Sequence, residues 1–453
     1  MGRDVVKPKG ARGTRDFLPD QMIRRQMVIN TIKTVFETYG YEPLETPAIE
    51  NLEVLTGKYG DDEKLIYKIM RRGLDANNLP PLHEMADLAL RYDLTVPLCR
   101  VVAMYQHQLQ LPFKRYQIQP VWRAERPQKG RYREFYQCDA DAVGTASMLA
   151  DAETLTLIHD VFRTLGFKQF RIRLNNRKIL TGIAEYAGVD ATKAMDVCIA
   201  IDKLDKIGMD GVIGELQKRG IAPTAINKIM PILEINGTND QILNDVATLL
   251  ENTPTGSQGV AETQELINYL QALGIPEANC GIDLYMARGL TYYTGPIYET
   301  IVEEPNIGSL AGGGRYDKLI GMFLGQDIPA TGMALGIERI IDVMTELEML
   351  PPAKTTVQVI VLPFNAEVQL EALHLIQELR TAGLNSEYYY NLNDKMGKKF
   401  KYAGNKGIPV GVVIGPDEIQ QGTVGIKNLQ TKQQETVSRT KMIAVIKNML
   451  DRD

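Results

Sequence analysis

The sequence predicts a mixed α/β protein of several domains, and three observations carry that prediction. Lys114–Trp122 and Phe135–Val143 alternate with a period of two, as half-buried strands do, on either side of a basic loop. Beyond Pro351 an apolar run, a helical pattern and a second apolar run follow one another, as in a small α/β domain. Between these regions, residues 186–278 turn to helical patterns with many lysines and aspartates and few aromatics. A chain of 453 residues has room for two to four such units.

Taken in order, Asp20 to Tyr39 reads as an amphipathic helix. Pro19 precedes it, Ile23, Met27, Ile32, Val35 and Tyr39 recur at near-helical spacing, and Gly40 supplies the stop. Tyr41 to Ile49 is extended, held out of helix by Pro43 and Pro47. Residues 74–88 form a polar, proline-containing loop able to move until a substrate arrives. The helical stretch, punctuated by Pro223, Pro231 and Gly237, reads as an insertion because glycine-rich segments resume only after Cys280. The expected division is 1–185 with 279–350, then 186–278, then 354–453 past a Pro351–Lys354 linker. In the last part Val357–Leu362 is a buried strand, Glu367–Ala382 a helix and Ile408–Ile414 a strand.

Composition narrows the function. Charged residues at 24% and apolar residues at 44% are those of a globular protein. No apolar run is long enough to span a bilayer, and Met1–Lys9 lacks the apolar core of a secretory signal, so the cytoplasm is the expected address. Cys99, Cys138, Cys198 and Cys280 show no paired metal spacing and suit a reducing compartment. His83, His107, His159 and His374 have no ligand-like neighbours, which argues against a zinc site or a histidine-based triad. Residues 354–453 carry 13 Lys+Arg against 10 Asp+Glu, a net of +3, and leave −8 for the rest of a chain of formal charge −5. That asymmetry suits a polyanion-facing tail domain.

Five segments can carry chemistry. Arg123-Ala124-Glu125-Arg126-Pro127-Gln128-Lys129-Gly130-Arg131-Tyr132-Arg133 hangs between the two alternating strands. Guanidinium forks bind phosphate oxygens bidentately and stay charged at any working pH, so this loop can meet polyphosphate or an RNA end. An ordinary solvated hairpin is the competing account. Leu90–Pro97 places Asp93 and Thr95 on one face if extended, where both can accept from a substrate ammonium. A capped helix start explains that pair equally well. Met286–Gly295 sets Arg288 beside Tyr292 and Tyr293, although paired tyrosines more often simply pack. Ala311-Gly312-Gly313-Gly314-Arg315-Tyr316-Asp317 allows close backbone approach to a ligand, or makes a tight turn. Gly332–Ile340 reads as a strand running into a helix, with Arg339 either stacked on a purine or merely at the surface. There is no Walker-type phosphate loop and no dinucleotide fingerprint.

In order and wording these segments resemble a histidyl-tRNA synthetase, one of the class II aminoacyl-tRNA synthetases. The resemblance runs from Gly13-Thr14-Arg15-Asp16-Phe17-Leu18-Pro19 to the C-terminal domain, with 74–88 and 186–278 poorly anchored. The segments around Arg288 and Gly312–Arg315 are similar to signatures peculiar to the histidine-specific members. The resemblance implies an α+β catalytic core, an antiparallel class II sheet flanked by helices, with a helical insertion and a C-terminal α/β anticodon-binding domain. Motif 1 is the Asp20–Tyr39 helix with the strand containing Pro47, a dimer interface in the family. Motif 2 is the 115–143 hairpin and motif 3 the 332–340 segment. The implied partners are L-histidine, ATP with Mg²⁺, tRNA(His) and a second copy of the chain, with no organic cofactor and no membrane.

The implied reaction has two steps. The histidine carboxylate attacks the α-phosphate of ATP, giving histidyl-adenylate and pyrophosphate; a ribose hydroxyl of the terminal adenosine of the tRNA then attacks the activated carbonyl. Neither step needs a protein nucleophile, so catalysis rests on positioning and charge stabilisation. By motif position the resemblance implies that Arg123 holds the α-phosphate and the histidine carboxylate. Arg288 sits on the opposite side of that phosphate, where relatives place a metal ion. Glu125 orients adenine or a nearby arginine, and Arg339 stacks on adenine and reaches the γ-phosphate. Asp93, Thr95 and Gln137 take the α-ammonium. Asp141 and Tyr293, with Tyr292 beside them, bracket the two imidazole nitrogens; Gln137 and Asp141 share strand parity and face one pocket. Mg²⁺ is expected on the outer phosphates, with no protein ligand assigned to it. Arg126 and Gln128 are expected near the extra 5′ guanosine of tRNA(His), and Lys395, Lys398, Lys399 and Lys401 near tRNA phosphates, unless they are solvated loop residues. Thr291 stands where many bacterial members carry aspartate. Asp93-Leu94-Thr95 and Gln137-Cys138-Asp139 look eukaryotic or archaeal, whereas Arg126–Gly130 looks bacterial.

Inert paralogues are the rival reading. A histidine-sensing regulatory subunit of histidine biosynthesis would lack the C-terminal domain and the Arg288 signature, and both are present. A tRNA-sensing kinase would carry a kinase domain, for which 453 residues leave no room. An α/β phosphotransferase would need the missing phosphate loop.

Overall fold

Alternating residues in Phe113–Trp122 and Glu134–Val143 build the longest hairpin of the chain, in antiparallel register from Phe113 opposite Val143 to Trp122 opposite Glu134. The structure, a computed structural model, describes residues 7–451 apart from 58–59, 76, 82–83, 129, 289–291 and 353. The chain divides into two compact units, Met1–Asp16 with Val28–Met349 and Phe17–Met27 with Leu350–Asp453.

In chain order the elements up to the hairpin are α1 (Pro19–Thr38), β1 (Glu42–Pro43), β2 (Ile49–Asn51), α2 (Leu52–Leu55), β3 (Lys68–Met70), β4 (Ala86–Leu90) and α3 (Thr95–Tyr105). The hairpin strands are β5 and β6. After them come α4 (Met148–Thr164), β7 (Arg171–Asn176), a run of helices, β8 (Cys280–Ile282), β9 (Pro296–Ile301), β10 (Ala311–Arg315), α11 (Gly321–Leu324), β11 (Ala330–Gly336) and α12 (Ile337–Glu346). Among the described residues the main sheet runs β1-β5-β6-β11-β10-β9-β7-β8. Neighbours from β5 to β7 are antiparallel, and β1 and β8 join the edges in parallel. A small sheet, β2-β4-β3, lies apart. The expected 74–88 loop is therefore shorter than the sequence suggested, because Ala86–Leu90 pairs with β2 and β3; residues 76 and 82–83 fall outside the described ones. At the centre of the main sheet β10 reads Ala-Gly-Gly-Gly-Arg. A strand nearly bare of side chains leaves space above the sheet for something else to come close.

The run of helices comprises α5 (Arg177–Ala187), α6 (Ala194–Ile201), α7 (Leu204–Lys218, kinked at Gly208), α8 (Pro223–Leu233), α9 (Asn239–Leu250) and α10 (Pro254–Ala272). It starts ahead of the texture change at 186, and α10 packs on both α4 and α5, within the unit that holds the sheet.

The second unit has strands β12 (Val359–Pro363), β13 (Ser386–Tyr388), β14 (Val410–Ile414), β15 (Thr423–Asn428) and β16 (Gln434–Ser438) in the order β13-β12-β14-β15-β16. The first three are parallel and the last two antiparallel. Its helices are α13 (Gln369–Thr381), α14 (Met396–Lys406), α15 (Pro416–Gln421) and α16 (Met442–Leu450). Successive residues of β12 point to opposite faces, so Val359 and Val361 join a core with Leu375, Leu379 and Ile446, while Ile360 and Leu362 join another with Ala403 and Ile408. Among the described residues no helix is long and apolar enough to cross a membrane, and no cluster of three or more His, Cys, Asp or Glu is arranged to hold a metal ion.

Candidate active site

Where β10 and β11 lie side by side, a cavity of about 410 Å³ opens over the main sheet. Its walls bring together Asp93, Thr95, Arg123, Glu125, Gln137, Asp141, Arg288, Tyr292, Tyr293 and Arg339, residues drawn from four well-separated segments of sequence.

One side of the cavity is cationic. Arg123 Nε donates to the Tyr92 carbonyl at 3.2 Å, and its guanidinium lies 4.3 Å from the Tyr92 ring centre and 5.1 Å from that of Phe135. Two aromatic faces and a carbonyl thus hold the charge in place. Arg288 has a left-handed backbone, φ 56°, and its Nη1 donates to Glu299 Oε1 at 3.4 Å. Burial works against its charge, but Tyr293 and Glu299 more than offset that and push its pKa up. A β-carbon at Gly312 would stand 2.1 Å from Arg288 Nη1, so the glycine of β10 is what leaves room for this guanidinium. Arg339 Nη1 donates to the Ser309 carbonyl at 2.7 Å, and burial lowers its pKa. Glu125 pairs with Arg131 at 3.1 Å.

The other side is anionic and hydroxyl-rich. Gln137, Asp139 and Asp141 alternate onto one face of β6. Arg115, directly across the hairpin and fully buried, pairs with Asp141 at 2.8 Å. Tyr316 donates its hydroxyl to Asp141 Oδ1 at 2.5 Å. Burial raises the pKa of both Asp139 and Asp141 while Arg115 opposes the shift; for Asp139 the charge of Asp141 adds to it. Burial likewise keeps Tyr292, Tyr293 and Tyr316 protonated, as hydrogen-bonding phenols. The Tyr292 ring sits 4.8 Å from Tyr293 and 6.1 Å from Tyr316, centre to centre. Asp93 Oδ1 accepts from Val96 N–H at 3.0 Å and so caps α3, yet Asp93 and Thr95 both line the cavity.

Sequence reasoning missed Arg115, Asp139, Glu299, Tyr316 and Glu338 as cavity-shaping residues. Tyr316 closes the glycine segment already singled out, and Arg115 is a charged residue in a half-buried strand; both were visible signals. Glu338 Oε2 accepts from Arg15 at 2.5 Å, tying the Gly13–Asp16 signature to the start of α12.

Other expected residues lie elsewhere. Arg126 and Gln128 are on the hairpin loop and do not line the cavity. Lys129 and Gly289–Thr291 fall outside the described residues. Lys399 requires a correction. It is 0% exposed, and its Nζ donates to the carbonyls of Pro363 at 2.6 Å, Leu392 at 3.0 Å and Phe364 at 3.4 Å. All three ammonium protons are engaged inside the protein, so Lys399 holds the fold rather than a phosphate. Lys398, 68% exposed, pairs with Asp394 at 2.9 Å, while Lys395 and Lys401 are also exposed.

Among the described residues no histidine or cysteine lines the cavity. Guanidinium groups on one wall and carboxylates on the other suit a polyphosphate joined to a small cationic molecule, activated by alignment and charge stabilisation.

Comparison with known proteins agrees. The family model described as histidyl-tRNA synthetase matches residues 13–340, and that described as anticodon binding domain matches 358–449. The histidine–tRNA ligase of Cytophaga hutchinsonii is 43% identical over 446 residues, covering 96% of this chain and 98% of that protein. That of Gloeobacter violaceus is 43% identical over 449 residues, covering 94% and 95%. The crystal structure of histidyl-tRNA synthetase from Nostoc sp. PCC 7120 is 34% identical and matches with a TM-score of 0.85 over 98% of this chain and 100% of that one. A main sheet with one arginine-lined cavity, a separate α/β unit and relatives matched nearly end to end place this chain in the histidyl-tRNA synthetase family.

Proposed function

We propose that the protein activates L-histidine with ATP and transfers it to tRNA(His). The observation that carries this reading is that Arg123 and Arg288 share one cavity with the Asp141–Tyr316 pair. In the proposed mechanism ATP lies along the Arg123, Arg288 and Arg339 wall. Arg123 aligns the α-phosphate with the histidine carboxylate, and Arg288 stabilises the charge that builds on the phosphate during in-line attack. Asp93, Thr95 and Gln137 accept from the α-ammonium. Asp141 and the tyrosines hydrogen-bond the imidazole; a side chain lacking both ring nitrogens leaves buried polar groups unpaired, a penalty that can reach about ten-thousandfold in discrimination. Mg²⁺ enters as part of the MgATP substrate, held by the polyphosphate.

The proposed division of labour gives 1–185 and 279–350 to catalysis, 186–278 to an insertion and 354–453 to the anticodon. In the last of these, Phe364 follows β12 and Tyr390 follows β13, neighbouring parallel strands whose carboxyl ends are where ligands gather in such sheets. The two rings are 56% and 81% exposed and offer stacking faces to unpaired bases. Lys399 ties together the loops that carry them, and Lys395, Lys398 and Lys401 add positive charge nearby in sequence. The dimer is assigned to motif 1, where Ile49 of β2 is exposed; Met104 and Tyr105 expose further apolar surface at the end of α3. Four buried free thiols suit a cytoplasmic address.

The decisive experiment is ATP–pyrophosphate exchange with each amino acid in turn. Exchange with histidine alone supports the reading; exchange with another amino acid, or with none, overturns it.

A further inference from the structure

Arg288 does its proposed work from a backbone conformation that side-chain-bearing residues rarely adopt, so something must hold it there. The corner between β7 and α5 is in position to do so. Asn175 Nδ2 donates to the Leu284 carbonyl at 3.0 Å and to the Met286 carbonyl at 2.9 Å. Arg177 Nη2 donates to the carbonyl of Arg288 itself at 3.1 Å, and Arg177 N–H donates to the Gly295 carbonyl at 2.8 Å. Two residues therefore grip carbonyls 284, 286, 288 and 295, bracketing the segment that bears Arg288, Tyr292 and Tyr293. Both are buried, and neither lines the cavity. The corner is itself anchored: Asn176 caps α5 through Lys178 N–H at 2.9 Å and donates to Glu262 of α10 at 3.2 Å.

We infer that Asn175 and Arg177 are positioning residues that act through Arg288, setting its carbonyl and hence the direction of its guanidinium. The inference rests on the proposed role of Arg288 at the α-phosphate. Arg177 is its critical member, because it bonds the left-handed residue directly. Removing that bond lets the peptide after residue 288 relax, and the guanidinium swings off the reacting phosphate while the histidine and ATP contacts remain.

The test is a double-mutant cycle with Arg177→Met, Arg288→Ala and the combined variant, alongside Arg177→Lys. The readings are the single-turnover rate of adenylate formation, KM for histidine and ATP, and the thermal unfolding midpoint. Arg177→Met is expected to slow adenylate formation at least about tenfold with both KM values within about twofold, and Arg177→Lys, which keeps a donor, to recover part of the rate. In the Arg288→Ala background Arg177→Met is expected to cost almost nothing more, since the two act as one unit. Additive losses, or a wild-type rate for Arg177→Met, overturn the positioning role while leaving that of Arg288 intact. A wild-type rate for Arg288→Ala overturns the underlying reading of the site. Should Arg177→Met fail to fold, the same cycle is run with Arg177→Lys, which retains the buried charge.

Discussion

Tyr316 donates its hydroxyl to Asp141 Oδ1 at 2.5 Å, joining residues 175 positions apart in sequence. Arg115 lies 2.8 Å from the other carboxylate oxygen, so the carboxylate is oriented before any ligand arrives. Tyr316→Phe is expected to raise KM for histidine at least about tenfold, the loss of one hydrogen bond to a charged group at about 1.5–3 kcal/mol, with KM for ATP near normal. Asp141→Ala is expected to do the same more severely. Pyrophosphate exchange titrated with each substrate checks both, and equal effects on histidine and ATP would refute the assignment.

Arg288→His is expected to leave ATP affinity near normal and slow adenylate formation about a hundredfold, the scale of losing one donor to the developing charge. Single-turnover kinetics decide this; a wild-type rate rules the role out.

Asp139 and Asp141 face the same side of β6, and Arg115 is the cation that opposes the rise in both their pKa values. Burial first, then the neighbouring carboxylates, push Asp139 well above its ordinary value of 3.8. The folded state thus binds this proton more tightly than the unfolded chain. The stabilisation is complete below the ordinary value and is lost as pH rises through the folded one. Asp139→Asn is therefore expected to stabilise the ligand-free protein near neutral pH, with an advantage that shrinks on acidification. Thermal unfolding across that range provides the check, and an advantage that grows on acidification contradicts it.

Phe364→Ala and Tyr390→Ala are each expected to raise KM for tRNA about tenfold, at about 1–3 kcal/mol per stacked base, without altering pyrophosphate exchange. Lys399→Met leaves three carbonyls without their donor and is expected to destabilise the C-terminal unit by about 2–4 kcal/mol, with adenylate formation preserved. Comparing aminoacylation with exchange, and following unfolding by calorimetry, separates these outcomes. A parallel loss of both activities in the Phe364 or Tyr390 variant would sink the stacking assignment.

Much of this was legible in sequence where periodicity is strong. The hairpin from Phe113 to Val143 announces itself by alternation, and that alternation alone puts Gln137 and Asp141 on one face. Position along the chain is a poorer guide to spatial neighbours: nothing local to Tyr316 says that its hydroxyl meets Asp141, nor anything local to Arg177 that it bonds Arg288. The lysines at 395, 398, 399 and 401 look alike as a string, but on α14 only residue 399 shares the inward face with Ala403. Glycines in β10 allowed both a turn and a close approach, and only the fold shows that they form a strand with an arginine pressed against it.

That pressed arginine makes positions 288 and 312 a single heritable unit. In a library randomised at 312 and selected for growth, survivors that keep arginine at 288 should carry glycine at 312 almost without exception. Alanine should be recovered only alongside a shorter or redirected residue at 288.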